Sequence, residues 1–318
     1  MTAPVLFDLK GKRVYVAGHG GMVGAAIVRR LAREDCEVLT LARGALDLRR
    51  QQDTARWLEA ARPDAVFVAA ARVGGILANE TYPVDFLADN LAIALSVIGG
   101  AHQAGVSKLL YLGSSCAYPR LAAQPMREEA VLTGPLEPTN QWYALAKIAG
   151  LKLVEAYRRQ FGADFVAVMP TNLYGPGDNY HPEHSHVPAA LIRRFHEAKL
   201  ARAATATVWG TGQARREFLC VDDLADACIY VIKHYSAVEV LNVGTGEDIA
   251  IRDFARVVAE VVGFEGELVF DTARPDGAPR KLLDVSRLDA LGWRASTDLR
   301  TGLAAAYADF LAGGGRSA

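Results

Sequence analysis

Arg13-Val14-Tyr15-Val16-Ala17-Gly18-His19-Gly20-Gly21-Met22-Val23-Gly24 is an apolar run that breaks into glycines and then into an amphipathic stretch over residues 23–33. That order reads as strand, GxxGxxG turn, helix. Glycines in such a turn let the backbone approach a pyrophosphate, whose charge is favoured by the helix N-terminus. The reading places Gly18, Gly20, Gly21, Met22, Val23 and Gly24 against a dinucleotide. A tight strand-to-helix turn with no ligand would use the same glycines.

Outward from this turn the pattern repeats. Apolar, β-rich runs at residues 38–41, 65–69, 108–112 and 165–169 alternate with amphipathic segments, as in a parallel sheet wrapped by helices. Strands buried on both faces read as continuous apolar runs, and ligands sit beyond their carboxyl ends. The fold class that follows is α/β, a Rossmann-type doubly wound parallel sheet with a smaller C-terminal α/β substrate lobe. Residues 170–188 are rich in Pro, Gly, Asn and His, which suits ligand loops. Residues 217–231 and 240–243 look like further α/β units. The expected organisation is a dinucleotide-binding domain over 1–170, with return elements about 217–245, intertwined with a substrate-binding lobe over 171–318.

After the second strand an acidic residue would read a 2′-hydroxyl, whereas an arginine suits a 2′-phosphate. The chain offers Leu41-Ala42-Arg43, which favours NADPH over NADH with Arg43 as phosphate partner. An ordinary solvated arginine would look the same. Asp47-Leu48 is a candidate adenine contact.

The 318 residues are 51% hydrophobic and 22% charged with formal net charge −1, a soluble globular composition with no basic nucleic-acid face and no polybasic membrane anchor. Cys36, Cys116, Cys220 and Cys228 form no CxxC pair, which suits a reducing, cytoplasmic setting and gives no zinc framework. No basic-then-apolar leader opens the chain, and no uninterrupted apolar run reaches the ~18 residues of a membrane span. The glycines at 313–315 read as a frayed tail.

Ser114, Cys116, Tyr143 and Lys147 carry the chemistry. Tyr143 and Lys147 are four apart on an expected helix and share a face, so the ammonium is placed to lower the phenol's pKa. An unperturbed phenol near pKa ~10 is a poor acid or base at neutral pH. Beside a cation and a nicotinamide it can serve carbonyl reduction.

Together the GxxGxxG turn, the serine and Tyr143-xxx-Lys147 resemble the extended short-chain dehydrogenase/reductase superfamily. The resemblance narrows at Ser114-Ser115-Cys116-Ala117-Tyr118-Pro119, at Pro138-Thr139-Asn140 running into Tyr143, and from Met169 to Gly175 and on through His181 to Val187. Val208-Trp209-Gly210, Arg216-Glu217-Phe218-Leu219, residues 242–246 and residues 275–284 continue it. These stretches are similar to the GDP-L-fucose synthase family over nearly the whole chain. Members of that family reduce GDP-4-keto-6-deoxy-D-mannose with NADPH after inverting two ring carbons, and act as homodimers. The resemblance implies that Leu112, Gly113, Ser114, Tyr143, Lys147, Pro170, Thr171, Asn172, Leu173 and His186 contact NADP(H), and that Arg194, Trp209, Arg216, Asp276 and Lys281 hold the substrate. The family often carries an arginine at the position of Gly20, so the glycine here weakens NADPH preference.

A ketone at C4 acidifies C3 and C5, because loss of either proton gives an enolate on the C4 oxygen. Ser114 and Tyr143 can donate hydrogen bonds to that oxygen. Inversion also needs a base on one face and an acid on the other. Cys116 and His186, with ordinary pKa values of ~8.5 and ~6.5, are such a pair, and by analogy with the family Cys116 is base and His186 acid. Lys147 would hold the nicotinamide ribose. The guanidinium pairs Arg193-Arg194 and Arg215-Arg216 suit a diphosphate, and Trp209 suits base stacking.

Plainer readings stand beside these. Cys116 could be a small buried hydrophobe, Trp209 a core residue, and the arginines solvated surface charges. His181, Glu183, His184 and His186 could gather a metal, although the ketone already has its own electrophilic donors, so the site is read with no metal. A sister reductase of the GDP-colitose or GDP-deoxyheptose type would show the same Cys116 and His186. A 4,6-dehydratase would place an acidic pair after its serine or threonine, where this chain has Ser115-Cys116-Ala117. A non-catalytic dinucleotide sensor would typically lack the intact tyrosine and lysine.

Overall fold

The computed structural model describes residues 3–182, 184–274 and 276–314. The apolar runs become β1 (Arg13–Ala17), β2 (Glu37–Leu39), β3 (Ala65–Val68), β4 (Lys108–Leu112) and β5 (Phe165–Pro170), followed by β6 (Asn172–Tyr174), β7 (Thr205–Trp209), β8 (Arg215–Arg216), β9 (Phe218–Cys220), β10 (Leu241–Val243), β11 (Ile249–Ala250), β12 (Glu267–Asp271) and β13 (Arg280–Lys281). Six strands pair in the order β2-β1-β3-β4-β5-β10, every neighbour parallel. Strand order reverses between β1 and β3. The crevice at such a reversal, beyond the strands' carboxyl ends, is where open α/β sheets bind ligands.

The helices are α1 (Met22–Leu31), α2 (Gln51–Ala61), α3 (Ile76–Thr81), α4 (Pro83–Gln103), α5 (Gln141–Phe161), α6 (Val187–Leu200), α7 (Val221–His234), α8 (Ile251–Val262), α9 (Ser286–Leu291) and α10 (Leu299–Leu311). One face of the sheet is covered by α1 and α7, whose Ile27, Leu31, Leu224 and Ile232 join Val14, Val16 and Phe67. The other is covered by α2, α4 and α5 around Tyr15, Val66, Leu109 and Tyr111. With both faces occupied, the strands need no polar alternation. This explains their unbroken apolar sequence.

A second core lies beyond the sheet's carboxyl edge. Helix α8 buries Ile251, Phe254, Ala255, Val258, Ala259 and Val262, the i, i+3, i+4, i+7 spacing of one helical face. Phe254 stacks on Phe218 with centroids 4.0 Å apart, and each such side chain stabilises by about 1.5–3 kcal/mol on burial. Helices α6 and α10 and the β7–β12 pair complete this core. After β9 the chain runs back through α7 to β10, which lies beside β5.

Helix α4 is long and apolar enough to cross a membrane by length and composition, although Asp85 and Asp89 interrupt its apolar run. It packs between α2 and α5, and half of its most apolar window is buried. A core helix of this kind needs no lipid.

Candidate active site

The turn after β1 depends on two glycines. Gly18 has φ +86°, and a Cβ there would lie 2.6 Å from Ala70 Cα. At Gly24 a Cβ would collide with the carbonyl oxygen of Gly18 and with His19 Cα. Only hydrogen side chains let α1 start this close to β1 and β3. Gly20 is different, because a Cβ there meets nothing. Gly21 caps α1 in extended conformation, and Met22 and Val23 begin the helix, whose first N–H groups suit a phosphate.

Strand β2 ends at Leu39, so Arg43 sits in the following loop, exposed. Asp47 is held by Arg49 (Nη2–Oδ2 2.7 Å), which pushes its carboxyl down to about 2. Arg49 also reaches Asp89 (3.0 Å), and Arg72 bridges Asp85 and Asp89. Arg43 therefore stands beside an already paired charge network at the rim. The sequence reading did not foresee this network, because Asp89 meets Arg49 and Arg72 from 40 and 17 residues away.

Strand β4 delivers Leu112, Gly113 and Ser114 to the crevice. The Gly113 N–H donates to Val168 O at 2.8 Å, and the space for a side chain there is filled by Leu151 and Met169. Ser114 then caps a 3-10 turn over Ser115–Ala117, its Oγ accepting from the Cys116 N–H at 3.3 Å. Cys116 is half-buried and free. The side-chain N–H of Asn140 donates to its Sγ at 3.3 Å. Asn140 precedes α5, two residues ahead of its Trp142, and its proximity to Cys116 was not read from the sequence.

Tyr143 and Lys147 share one face of α5. Lys147 is 4% exposed, donates to Leu112 O at 2.8 Å, and lies over the Tyr143 and Tyr111 rings at 5.7 and 5.1 Å. Burial pushes its ammonium down to about 8. The Tyr143 hydroxyl interacts with Ser114, but its pKa is raised, chiefly by burial and secondarily by the Cys116 charge. The expected lowering of the phenol's pKa by the lysine is therefore corrected. The ammonium lies against the ring face, and burial of the hydroxyl dominates.

His186 caps α6 and is exposed, though the protein crowded around it shifts its imidazole below the ordinary value. Its loop is tied to the start of α3 by the Gly75 N–H, which donates to His184 O at 3.0 Å. The His181 and His184 rings stack at 4.5 Å. Among the described residues no group of His, Cys, Asp and Glu could hold a metal; Glu183, one member of the cluster weighed above, lies outside them. Gly315, in the expected frayed tail, is also outside.

Pro170 ends β5, and Asn172 and Leu173 lie in β6. The Thr171 hydroxyl and Asn172 amide both donate to Glu217 O, at 3.3 and 2.9 Å. The fully buried Glu217 carboxylate accepts from the N–H groups of Gly246 (2.8 Å) and Leu283 (3.0 Å). Burial raises its pKa. One glutamate thus joins β5's exit, β10's exit and β13, a role its acidic identity alone did not signal.

The two arginine pairs divide. Arg193 bonds Glu197 and Tyr180 O, and Arg215 bonds Asp248, so both are committed elsewhere. Arg194 donates to Thr207 O at 2.7 Å and lies 5.0 Å from the Trp209 ring centroid, with Arg274 at 4.7 Å. Trp209 is 45% exposed, which removes the core reading. Arg216 donates to Asp276 O at 3.1 Å, and Lys281 is its register partner across the β8–β13 pair. Asp276 in turn holds Thr211. Burial lowers the Arg216 pKa, with the Asp276 carboxylate pulling the other way.

The glycine turn after β1 and the serine, tyrosine and lysine beyond β4 and on α5 lie at one end of the parallel sheet, and the NAD dependent epimerase/dehydratase family pattern matches residues 14–244. The chain belongs to that family. Within it, a GDP-L-fucose synthase of Sinorhizobium fredii (strain NBRC 101917 / NGR234) is 55% identical over 96% of this chain and 98% of its own length. That of Escherichia coli (strain K12) is 52% identical over 94% and 97%. A GDP-L-colitose synthase of Yersinia pseudotuberculosis is 36% identical over 94% and 98%. Among solved structures, a GDP-L-fucose synthetase from Naegleria fowleri bound to NADP superposes with TM-score 0.88 at 25% identity, over 98% of this chain and 97% of that one. A GDP-6-OMe-4-keto-L-xylo-heptose reductase from C. jejuni superposes at 0.88 with 34% identity, over 95% and 98%. This member of the epimerase/dehydratase family thus belongs with the GDP-L-fucose synthases.

Proposed function

We propose that the chain carries out NADPH-dependent 3,5-epimerisation and 4-reduction of GDP-4-keto-6-deoxy-D-mannose to GDP-L-fucose. The observation that carries this reading is Cys116 placed between Ser114 and Asn140, beside the Tyr143–Lys147 pair. A simple reductase needs the serine, tyrosine and lysine only. The added thiol supplies a base for carbon. The colitose and heptose alternatives are supported by identities of 34–36%, well below the 52–55% of the fucose synthases.

The residues present fit NADP(H). The turn from Gly18 to Gly24 would hold the pyrophosphate at the start of α1, the exposed Arg43 would meet a 2′-phosphate, and Lys147 would hold the nicotinamide ribose. When bound, the nicotinamide supplies the hydride. Leu112, Gly113 and Pro170 to Leu173 would line its pocket.

The Ser114 and Tyr143 hydroxyls donate to the C4 oxygen and hold the enolate that forms when Cys116 removes a ring proton. His186 returns a proton from the other face. Resting thiol plus neutral imidazole and working thiolate plus imidazolium differ only in where one proton sits, so the pair keeps its net charge. After both inversions Tyr143 protonates the C4 oxygen. Arg194, Trp209, Arg216, Asp276 and Lys281 hold the GDP moiety, with guanidiniums on phosphate oxygens.

Two copies pair through the α4–α5 face, where Val84, Leu95, Trp142 and Leu145 are exposed. Residues 171–318, apart from the return elements about 217–245, form the substrate lobe, and the four free cysteines suit a cytoplasmic enzyme. The test is turnover of GDP-4-keto-6-deoxy-D-mannose with NADPH in heavy water. GDP-L-fucose labelled at C3 and C5 is the expected product. An unlabelled C4-reduced sugar would sink the epimerase half of the proposal.

A further inference from the structure

The chain leaving β3 crosses from the cofactor turn to the His186 loop, and two buried asparagines fix its course. It sets out with Ala70 against Gly18. Asn90 then brackets Arg72, accepting from its N–H at 2.8 Å and donating to its carbonyl at 3.0 Å. Asn79, 3% exposed, donates from its amide nitrogen to the carbonyls of both Gly74 and Gly75, each at 3.0 Å. At the far end the Gly75 N–H donates to His184 O, two residues before His186.

The two glycines face different neighbours. Gly75 has φ −65° and ψ −179°, extended backbone open to any residue, so conformational freedom does not call for glycine there. Space does: a Cβ on Gly75 would stand 2.9 Å from Ser185 O and 3.4 Å from His184 O. A Cβ on Gly74 would press instead on Ala78 Cβ at 3.0 Å and on the Phe86 ring at 3.1 Å. Helix α3, which the glycines introduce, packs against the Pro138–Asn140 turn, where Asn140 meets Cys116. One short segment thus touches both the backbone ahead of His186 and the turn beside Cys116.

Resting on the function proposed above, we infer that Gly75 and Asn79 are positioning residues for the return of the proton, and that they set where His186 stands relative to Cys116. Inversion at carbon needs its acid and its base on opposite faces of one ring. Their separation decides whether an enolate is protonated on the new face or by the thiol that formed it. Neither Gly75 nor Asn79 touches the reacting atoms in this arrangement. Gly75 acts through the backbone of His184 and Ser185, which it approaches closely because it has no side chain. Asn79 acts through Gly75, by holding the carbonyls on either side of that residue's N–H.

The test incubates GDP-4-keto-6-deoxy-D-mannose in heavy water with NADP+, which supplies no hydride, and follows deuterium entry at C3 and C5 separately from inversion by NMR. Proton loss to Cys116, followed by return of a solvent-exchanged deuteron to the same face, gives exchange without inversion. Inversion needs His186 as well. In Gly75→Ala inversion should fall roughly 10- to 100-fold, as a misplacement of about 1 Å costs, while deuterium entry stays within about threefold of wild type. Asn79→Ala removes the clamp without adding volume, and should lower the ratio of inversion to exchange in the same direction. Gly74→Ala presses on Phe86 rather than on Ser185, and should leave that ratio at the wild-type value. NADPH titration confirms that each variant is folded. An unchanged ratio in Gly75→Ala and Asn79→Ala, or an equal change in Gly74→Ala, would overturn the positioning role while leaving the function standing. Wild type that neither exchanges nor inverts would overturn the function and the inference together.

Discussion

Asn140 Nδ2 lies 3.3 Å from Cys116 Sγ, a donor aimed at the sulfur that the proposed chemistry needs as thiolate. Hydrogen bonds to a charged acceptor are worth more than neutral ones, about 1.5–3 kcal/mol. Asn140→Ala should therefore slow alkylation of Cys116 by iodoacetamide at neutral pH by about tenfold, with peptide mapping separating it from Cys36. Solvent deuterium entry into the sugar should slow in parallel. An unchanged alkylation rate would show that the contact does not stabilise the thiolate.

Tyr143→Phe removes one oxyanion donor and the proton for the C4 oxygen while keeping the ring packed against Phe86 and Lys147. Single-turnover NADPH oxidation should fall by about 10²–10⁴, with NADPH affinity within a fewfold of wild type. Retained turnover would refute the acid role.

Lys147 links the site to stability. Burial brings its folded pKa to about 8, below the ordinary 10.5 of a lysine, so between those two pH values the unfolded chain binds more protons than the native one. Stability contributed by this group rises with pH through that window, is complete above 10.5 and is lost as pH falls through 8. Relative to Lys147→Met, wild type should gain about 3 kcal/mol across the window, read from urea unfolding at both ends. A constant difference would mean that the ammonium is not desolvated.

The two glycines of the first turn predict opposite outcomes. Gly24→Ala drives a methyl into the Gly18 carbonyl, and should cost about 1–3 kcal/mol and weaken NADPH binding. Gly20 faces open space. Gly20→Ala should be nearly silent in thermal unfolding, and Gly20→Arg should raise the preference for NADPH over NADH by about tenfold, as one added charged hydrogen bond would. No change in that preference would place the 2′-phosphate away from residue 20.

The parallel sheet was legible because β1, β3, β4 and β5 are buried on both faces and so carry unbroken apolar sequence. The turn after β1 and the pairing of Tyr143 with Lys147 were legible because local spacing determines both. Asp89 beside Arg49, Glu217 beneath Gly246 and Leu283, and Asn140 against Cys116 were not. These contacts join segments distant in sequence, and an acid or an amide carries no mark of which distant partner it meets. The pKa of Tyr143 was misjudged for a related reason. Helical spacing places the lysine on the correct face, but the tertiary packing around α5 determines how much water reaches either group.

The pairing of β5 with β10 has a consequence for the order in which the protein is made. During synthesis β5 emerges roughly seventy residues ahead of β10, and until β10 arrives its outer edge offers unpaired backbone groups, the kind of template that invites mispairing with other chains. The intervening segment includes α6, β7 and Arg216, so the first part of the substrate lobe must leave the ribosome before the nucleotide-binding sheet can close, while α8, β12, β13 and α10 follow it. The nascent enzyme therefore completes its nucleotide-binding sheet with one part of the sugar-binding half already made and the larger part still to come.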